Sequence, residues 1–165
     1  MKKLYIKNKF ISIGNGSYVE DETGTNVFKV KGKVFSPTHK KFVYDMDGNL
    51  LYIVRNKWWK FIKHSVFIYD GKTKEKLFRI KERFFSMSYE ILDKKMEIGI
   101  AGKLFQGLTV YLNGTPIGVF KRCGLESLVR DAFQVDVQDE NYAPLLAAIV
   151  IAYDNLVDNR RGEDK

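Results

Sequence analysis

Apolar and polar residues alternate along much of the first 120 positions. Phe28 and Val30 would point to one side of an extended chain and Lys29 and Lys31 to the other; Phe78 and Ile80 oppose Arg79 and Lys81 in the same way. A period of two with one apolar face predicts amphipathic antiparallel strands. Turn signals punctuate the alternation: Asp21-Glu22-Thr23-Gly24, Asp45-Met46-Asp47-Gly48-Asn49 and Asn113-Gly114. The last is the preferred pair of a type I′ hairpin, because both positions tolerate positive φ. Asp70-Gly71 and Asp93-Lys94-Lys95 are weaker signals in corresponding places.

About seven residues after a turn comes a basic-x-basic signature followed by bulky apolar residues. Its copies are Lys7-Asn8-Lys9-Phe10-Ile11-Ser12, Lys31-Gly32-Lys33-Val34-Phe35-Ser36, Arg55-Asn56-Lys57-Trp58-Trp59, Lys81-Glu82-Arg83-Phe84-Phe85-Ser86 and a degraded Lys121-Arg122-Cys123-Gly124-Leu125. They are spaced by 24, 24, 26 and 40 residues, and Ala101-Gly102-Lys103-Leu104-Phe105-Gln106 halves the last gap, making six copies. Six hairpin-like units give about twelve strands, too many for a strongly twisted open sheet. Closure into an antiparallel barrel removes the edges. A barrel that wide needs its interior filled.

A filling element is present near the C-terminus. Asn141 to Asp154 opens with capping residues and Pro144, then runs apolar on every face from Leu145 to Ala152. That is the pattern of a helix buried all round. The fold expected is therefore mainly β (α+β), a closed barrel with a central helix at about 143–156. Residues 1–157 form one domain and 158–165 a polar tail. Gly99, Gly102 and Gly118 would let the helix pack closely against late strands.

Charge adds a direction. The chain carries +8, yet residues 126–165 hold nine acidic and four basic side chains, leaving +13 on residues 1–125. A basic body with an acidic tail points to a polyanionic partner, or simply to solubility. The lone Cys123 permits no internal disulfide and fits a reducing compartment. No signal-like apolar run follows Met1, and the apolar stretch 143–153 is short of the roughly 20 residues a membrane span needs. A cytoplasmic protein, peripheral at the inner membrane surface if lipid is its ligand, is the expectation.

The recurring K-x-K-x-F-S units, Val43-Tyr44-Asp45-Met46-Asp47-Gly48-Asn49 and the apolar helix together resemble the tubby C-terminal-like superfamily, and within it the bacterial LURP-one-related proteins. The resemblance spans essentially the whole chain. It implies a twelve-stranded barrel around a C-terminal helix and a kinship with phosphoinositide-binding tubby proteins and phospholipid scramblases. No tubby ligand residue is carried over, because none matches position by position.

Chemistry-bearing motifs are sparse. Asp45-Met46-Asp47-Gly48-Asn49 resembles the start of a calcium loop but has Asn56 where a bidentate Glu belongs. Gly14-Asn15-Gly16 is too short for a dinucleotide fingerprint and reads as a turn. His39, His64 and Cys123 have no ligand-spaced partners. No cofactor, metal or catalytic constellation is expected, so the chain reads as a non-enzyme.

The basic signatures remain. Closure would bring Lys7, Lys9, Lys31, Lys33, Arg55, Lys57, Lys81 and Arg83 to comparable heights, as a cationic band or a solvated face. Arg pairs bidentately with phosphate and Lys acts as a point charge. In one copy Trp58, Trp59, Lys60 and Lys63 replace the usual ending; Trp beside Lys suits a membrane interface or single-stranded nucleic acid, and equally a core Trp with a covering neighbour. The leading expectation is a binding module for anionic phospholipid, phosphoinositide-like headgroups included, through Arg55, Lys57, Trp58, Trp59, Lys60, Lys63, Lys31, Lys33, Lys81 and Arg83. The alternative is a scaffold or regulatory protein-interaction domain. Nucleic acid ranks third and an enzyme fourth.

Overall fold

The computed structural model describes residues 2–7, 16–32, 38–56, 65–82, 89–91, 98–103, 106–123 and 132–163. Among them are twelve strands: β1 (Lys2–Lys7), β2 (Ser17–Asp21), β3 (Asn26–Gly32), β4 (Lys41–Tyr44), β5 (Leu50–Asn56), β6 (Ser65–Asp70), β7 (Lys76–Glu82), β8 (Tyr89–Ile91), β9 (Ile98–Lys103), β10 (Gly107–Leu112), β11 (Thr115–Arg122) and β12 (Ala132–Val137). A one-turn 3₁₀ segment, Glu140–Tyr142, leads into helix α1 (Ala143–Glu163). The fold is mainly β, an antiparallel sheet with one C-terminal helix packed against it, as the alternation predicted.

Successive strands pair antiparallel in the order β1-β12-β11-β10-β9-β8-β7-β6-β5-β4-β3-β2. β1 pairs with both β12 and β2. The ladder is thinnest between β8 and β9, where Glu90 opposite Gly99 is the one described pair.

One face of the sheet carries the core. Leu4, Ile6, Val19, Val30, Val43, Val54, Val66, Ile68, Phe78 and Ile80 alternate inward along β1–β7 and are buried. Leu146 through Ala152 are completely inaccessible to solvent. Seven consecutive residues cover every direction around a helix axis at 3.6 residues per turn, so α1 has no solvent face there. Phe120, Phe133 and Tyr153 close the packing edge to face, with ring centroids 5.3 to 6.2 Å apart.

Two expectations need correction. The helix does not end near residue 156 but continues to Glu163. Asn155 to Arg161 contain neither Gly nor Pro, so the backbone has no reason to stop where the apolar run does. Of the three glycines expected to face the helix, only Gly118 does: a Cβ there would lie 2.6 Å from Leu146 Cδ1. Gly99 instead faces Tyr111, and Gly102 adopts φ 123° against the carbonyl of Gly107 in the adjacent strand. Gly102 serves the backbone of the hairpin rather than the helix.

Candidate cation-aromatic face

Antiparallel pairing places the C-terminal ends of all odd-numbered strands at one end of the sheet. Lys31, Arg55, Lys81 and Lys121 are each the penultimate residue of β3, β5, β7 and β11, and Lys7 is the last of β1. The signatures therefore share one end. Lys31 is exposed and Arg55 half-buried, each next in sequence to an inward valine, Val30 or Val54, so both face outward. The Lys81 side chain is not among those described. Lys33, Lys57, Trp58, Trp59, Lys60, Lys63 and Arg83 lie outside the described residues, as do Lys9 and His64.

Strand register turns the outward residues of β2–β7 into rows. Tyr18, Lys29 and Tyr44 are cross-strand neighbours. A second row runs Lys31, Phe42, Ile53, Tyr69, Lys76, and a third runs Arg55, Phe67, Arg79. Cations lie over rings throughout. Lys29 Nζ sits 5.6 Å from the Tyr18 centroid and Lys31 Nζ 5.4 Å from that of Tyr44. Arg55 Cζ is 5.6 Å from Tyr69, while Lys76 Nζ and Arg79 Cζ are 5.6 and 5.7 Å from the same Phe67 ring. Each such contact stabilises by about 0.5–1 kcal/mol where water reaches it. The larger effect is on orientation, since a stem lying along a ring holds its charged tip in place.

Two arginines are further constrained. Arg79 donates from Nε and Nη2 to Ser65 Oγ at 3.3 and 3.1 Å. Arg55 Nε is buried and has no hydrogen-bond partner among the described residues. Lys29, Lys76, Arg79 and their rings were not anticipated from the sequence. Their parity was visible, but only strand register shows which ring opposes which cation.

Beneath the same end lies a buried polar cluster. Lys41 Nζ reaches Asp154 Oδ2 of α1 at 3.6 Å, their side chains 14% and 5% exposed. Asn155 Nδ2 donates to the carbonyl of His39 at 3.4 Å, and the Asn56 N–H to that of Thr38 at 2.8 Å. Lys41 points inward because its β5 neighbour is the buried Val54. The Lys41–Asp154 and Asn155–His39 contacts tie the helix to β4 and the segment leading into it.

The sequence matches the LURP-one-related family over residues 2–154. The chain belongs to that family. This LURP-one-related chain is similar in structure to a protein of Arabidopsis thaliana known from X-ray crystallography. The two share 18% identity over 93% of this chain and 90% of the plant protein, with a TM-score of 0.62. Identity at that level supports the fold alone. No curated protein matches the sequence significantly.

In the LURP-one-related domain, other residues singled out from the sequence make structural hydrogen bonds. The Asp45 carboxylate accepts from the Asn49 N–H at 2.7 Å and from Asn49 Nδ2 at 2.8 Å, which anchors a turn. His39 is exposed, and its carbonyl accepts from α1. Cys123 is half-buried, and its N–H donates to the Ala132 carbonyl at 2.7 Å. Among the described residues no cluster of His, Cys, Asp and Glu has the make-up of a metal site, and no helix is long and apolar enough to cross a membrane.

Proposed function

We propose that this LURP-one-related chain is a non-enzymatic module that docks on anionic phospholipid headgroups at the cytoplasmic membrane surface. The observation that carries the reading is the continuous cation-aromatic face of β2–β7, with Lys31 and Arg55 at the end where the signatures gather. In this reading the sheet is a barrel closed around α1; the pairing of β1 with both β2 and β12 supports it. The apolar helix is then an internal plug, and contact with lipid falls to the wall. Segment 57–63 follows β5 directly and supplies Trp58, Trp59 and three lysines, residues suited to headgroup depth.

Flotation with liposomes tests this. The protein should rise with vesicles containing phosphatidylglycerol, stay behind with pure phosphatidylcholine, and remain bound at near-physiological salt. The combined Lys57→Ala, Lys60→Ala and Lys63→Ala variant should bind more weakly, each juxtamembrane cation being worth about 1 kcal/mol. Absence of binding, or binding lost at modest salt, would favour the protein-interaction alternative.

A further inference from the structure

We infer that the outer face of β5–β7 holds a subsite selective for a phosphate monoester, formed by Arg55, Lys76 and Arg79 around Phe67 and Tyr69. The inference deepens the membrane reading and rests on its premise that this face takes anions.

Three cations gather on two rings whose centroids are 6.3 Å apart. Lys76 and Arg79 share the Phe67 ring, and Arg55 lies over Tyr69. Register places Arg55 and Arg79 on opposite sides of Phe67, about 10 Å apart at two strand spacings. Among the described residues no carboxylate forms an ion pair with any of the three. The nearest described acid on β6, Asp70, is committed to its own turn, accepting from the N–H groups of Lys72 and Thr73. Segments 57–64 and 83–88, which follow β5 and β7, contain Lys57, Lys60, Lys63 and Arg83 and no Asp or Glu.

Like charges held this close repel, and an anion seated among them relieves the repulsion. The geometry favours phosphate in particular. Arg79 is held by Ser65 and Arg55 by burial of its Nε, so both guanidinium groups are fixed before a ligand arrives. Pre-set planar guanidinium forks favour multidentate oxygen ligands such as phosphate. A monoester carries nearly two charges and three terminal oxygens at neutral pH, whereas a diester carries one charge and two free oxygens. Three cations match the monoester.

The test compares phosphatidylcholine vesicles doped with phosphatidic acid, a monoester, or phosphatidylglycerol, a diester, at equal zeta potential. In parallel, inorganic phosphate is titrated while the Phe67 and Tyr69 ring resonances are followed. Wild type should prefer phosphatidic acid by on the order of tenfold, and phosphate should shift both rings. Arg55→Gln and Arg79→Gln should abolish the preference for phosphatidic acid. Lys76 is exposed, so Lys76→Gln provides a variant whose folding is not at risk. Ring shifts without vesicle binding support the subsite with a soluble phosphate ester as its source, and sink the membrane reading instead. Equal binding to both lipids with unmoved rings overturns the subsite and leaves the membrane reading standing. Silence in every arm overturns both.

Discussion

At one end of the sheet, the side-chain hydrogen bonds of the turns span two to four residues; at the other they join residues up to 116 apart. The first end is built from turns. Asp21 Oδ1 accepts from the N–H groups of Thr23 and Thr25 at 2.9 and 3.0 Å, and Asp70 Oδ1 from those of Lys72 and Thr73 at 2.8 and 2.7 Å. Asn113 and Gly114 take φ of 50° and 79° to close the β10–β11 hairpin. The second end is held by Lys41 with Asp154 and by Asn155 with His39, which connect the helix to the wall. The side-chain contacts of the turns are therefore local and solvent-facing; those of the signature end depend on the whole fold being assembled.

The sharpest way to break this contrast is Lys41→Met. It takes the Lys41 ammonium away from the buried Asp154 carboxylate, and removal of one member of such a pair costs about 3–5 kcal/mol. Urea unfolding should show that loss. The double variant Lys41→Met, Asp154→Leu should regain most of it, because the buried carboxylate goes too. A single variant as stable as wild type would show that the tie between helix and wall lies elsewhere.

The same contrast explains what the sequence made legible. Asp45-Met46-Asp47-Gly48-Asn49 names its own structure, since each contact closes within the motif. Phe28, Val30, Phe78 and Ile80 declare their face by parity, and Leu145 to Ala152 declare burial by having no polar side. Lys41 and Asp154 declare nothing. A lysine starting a strand and an aspartate ending an apolar run look like surface residues until tertiary packing brings them together. The candidate face was half legible for a similar reason: Lys31 and Arg55 recur with the repeat, whereas Lys76 and Arg79 gain meaning only from the register that sets both against Phe67.

A smaller effect is expected at the turn end. Gly48 has φ 90° and open space where a Cβ would sit, so Gly48→Ala tests backbone conformation alone. It should cost about 1 kcal/mol. Gly32, at the signature end, also has open space but no positive φ. Gly32→Ala should be close to neutral in the same thermal melts. Equal losses at both glycines would remove the conformational explanation.

Acid should then act selectively on the turns. Hydrogen bonds hold three carboxyls below their ordinary value of 3.8: chiefly from the Thr23 side chain for Asp21, the Asn49 side chain for Asp45 and the Thr73 backbone for Asp70. A carboxyl depressed in the folded state adds stability that is fully present above the unfolded value and fades as pH falls through the folded one. The stability gap between wild type and Asp45→Asn should accordingly stay constant near neutrality and narrow as pH drops below 3.8. A gap that widens on acidification would mean the carboxylate is not favoured by its turn.

The smallest effect belongs to the outer face. Tyr44→Leu removes the ring beneath Lys31 while keeping an apolar side chain on β4. Because Lys31 is exposed, the loss should be about 0.5 kcal/mol. A cation-aromatic contact that mattered mainly for stability would exceed that figure. One that mattered mainly for holding the ammonium in place would leave the melting curve nearly unmoved and weaken binding to phosphatidylglycerol vesicles. Measuring both on this variant separates a face that braces the sheet from one that presents charge to a membrane.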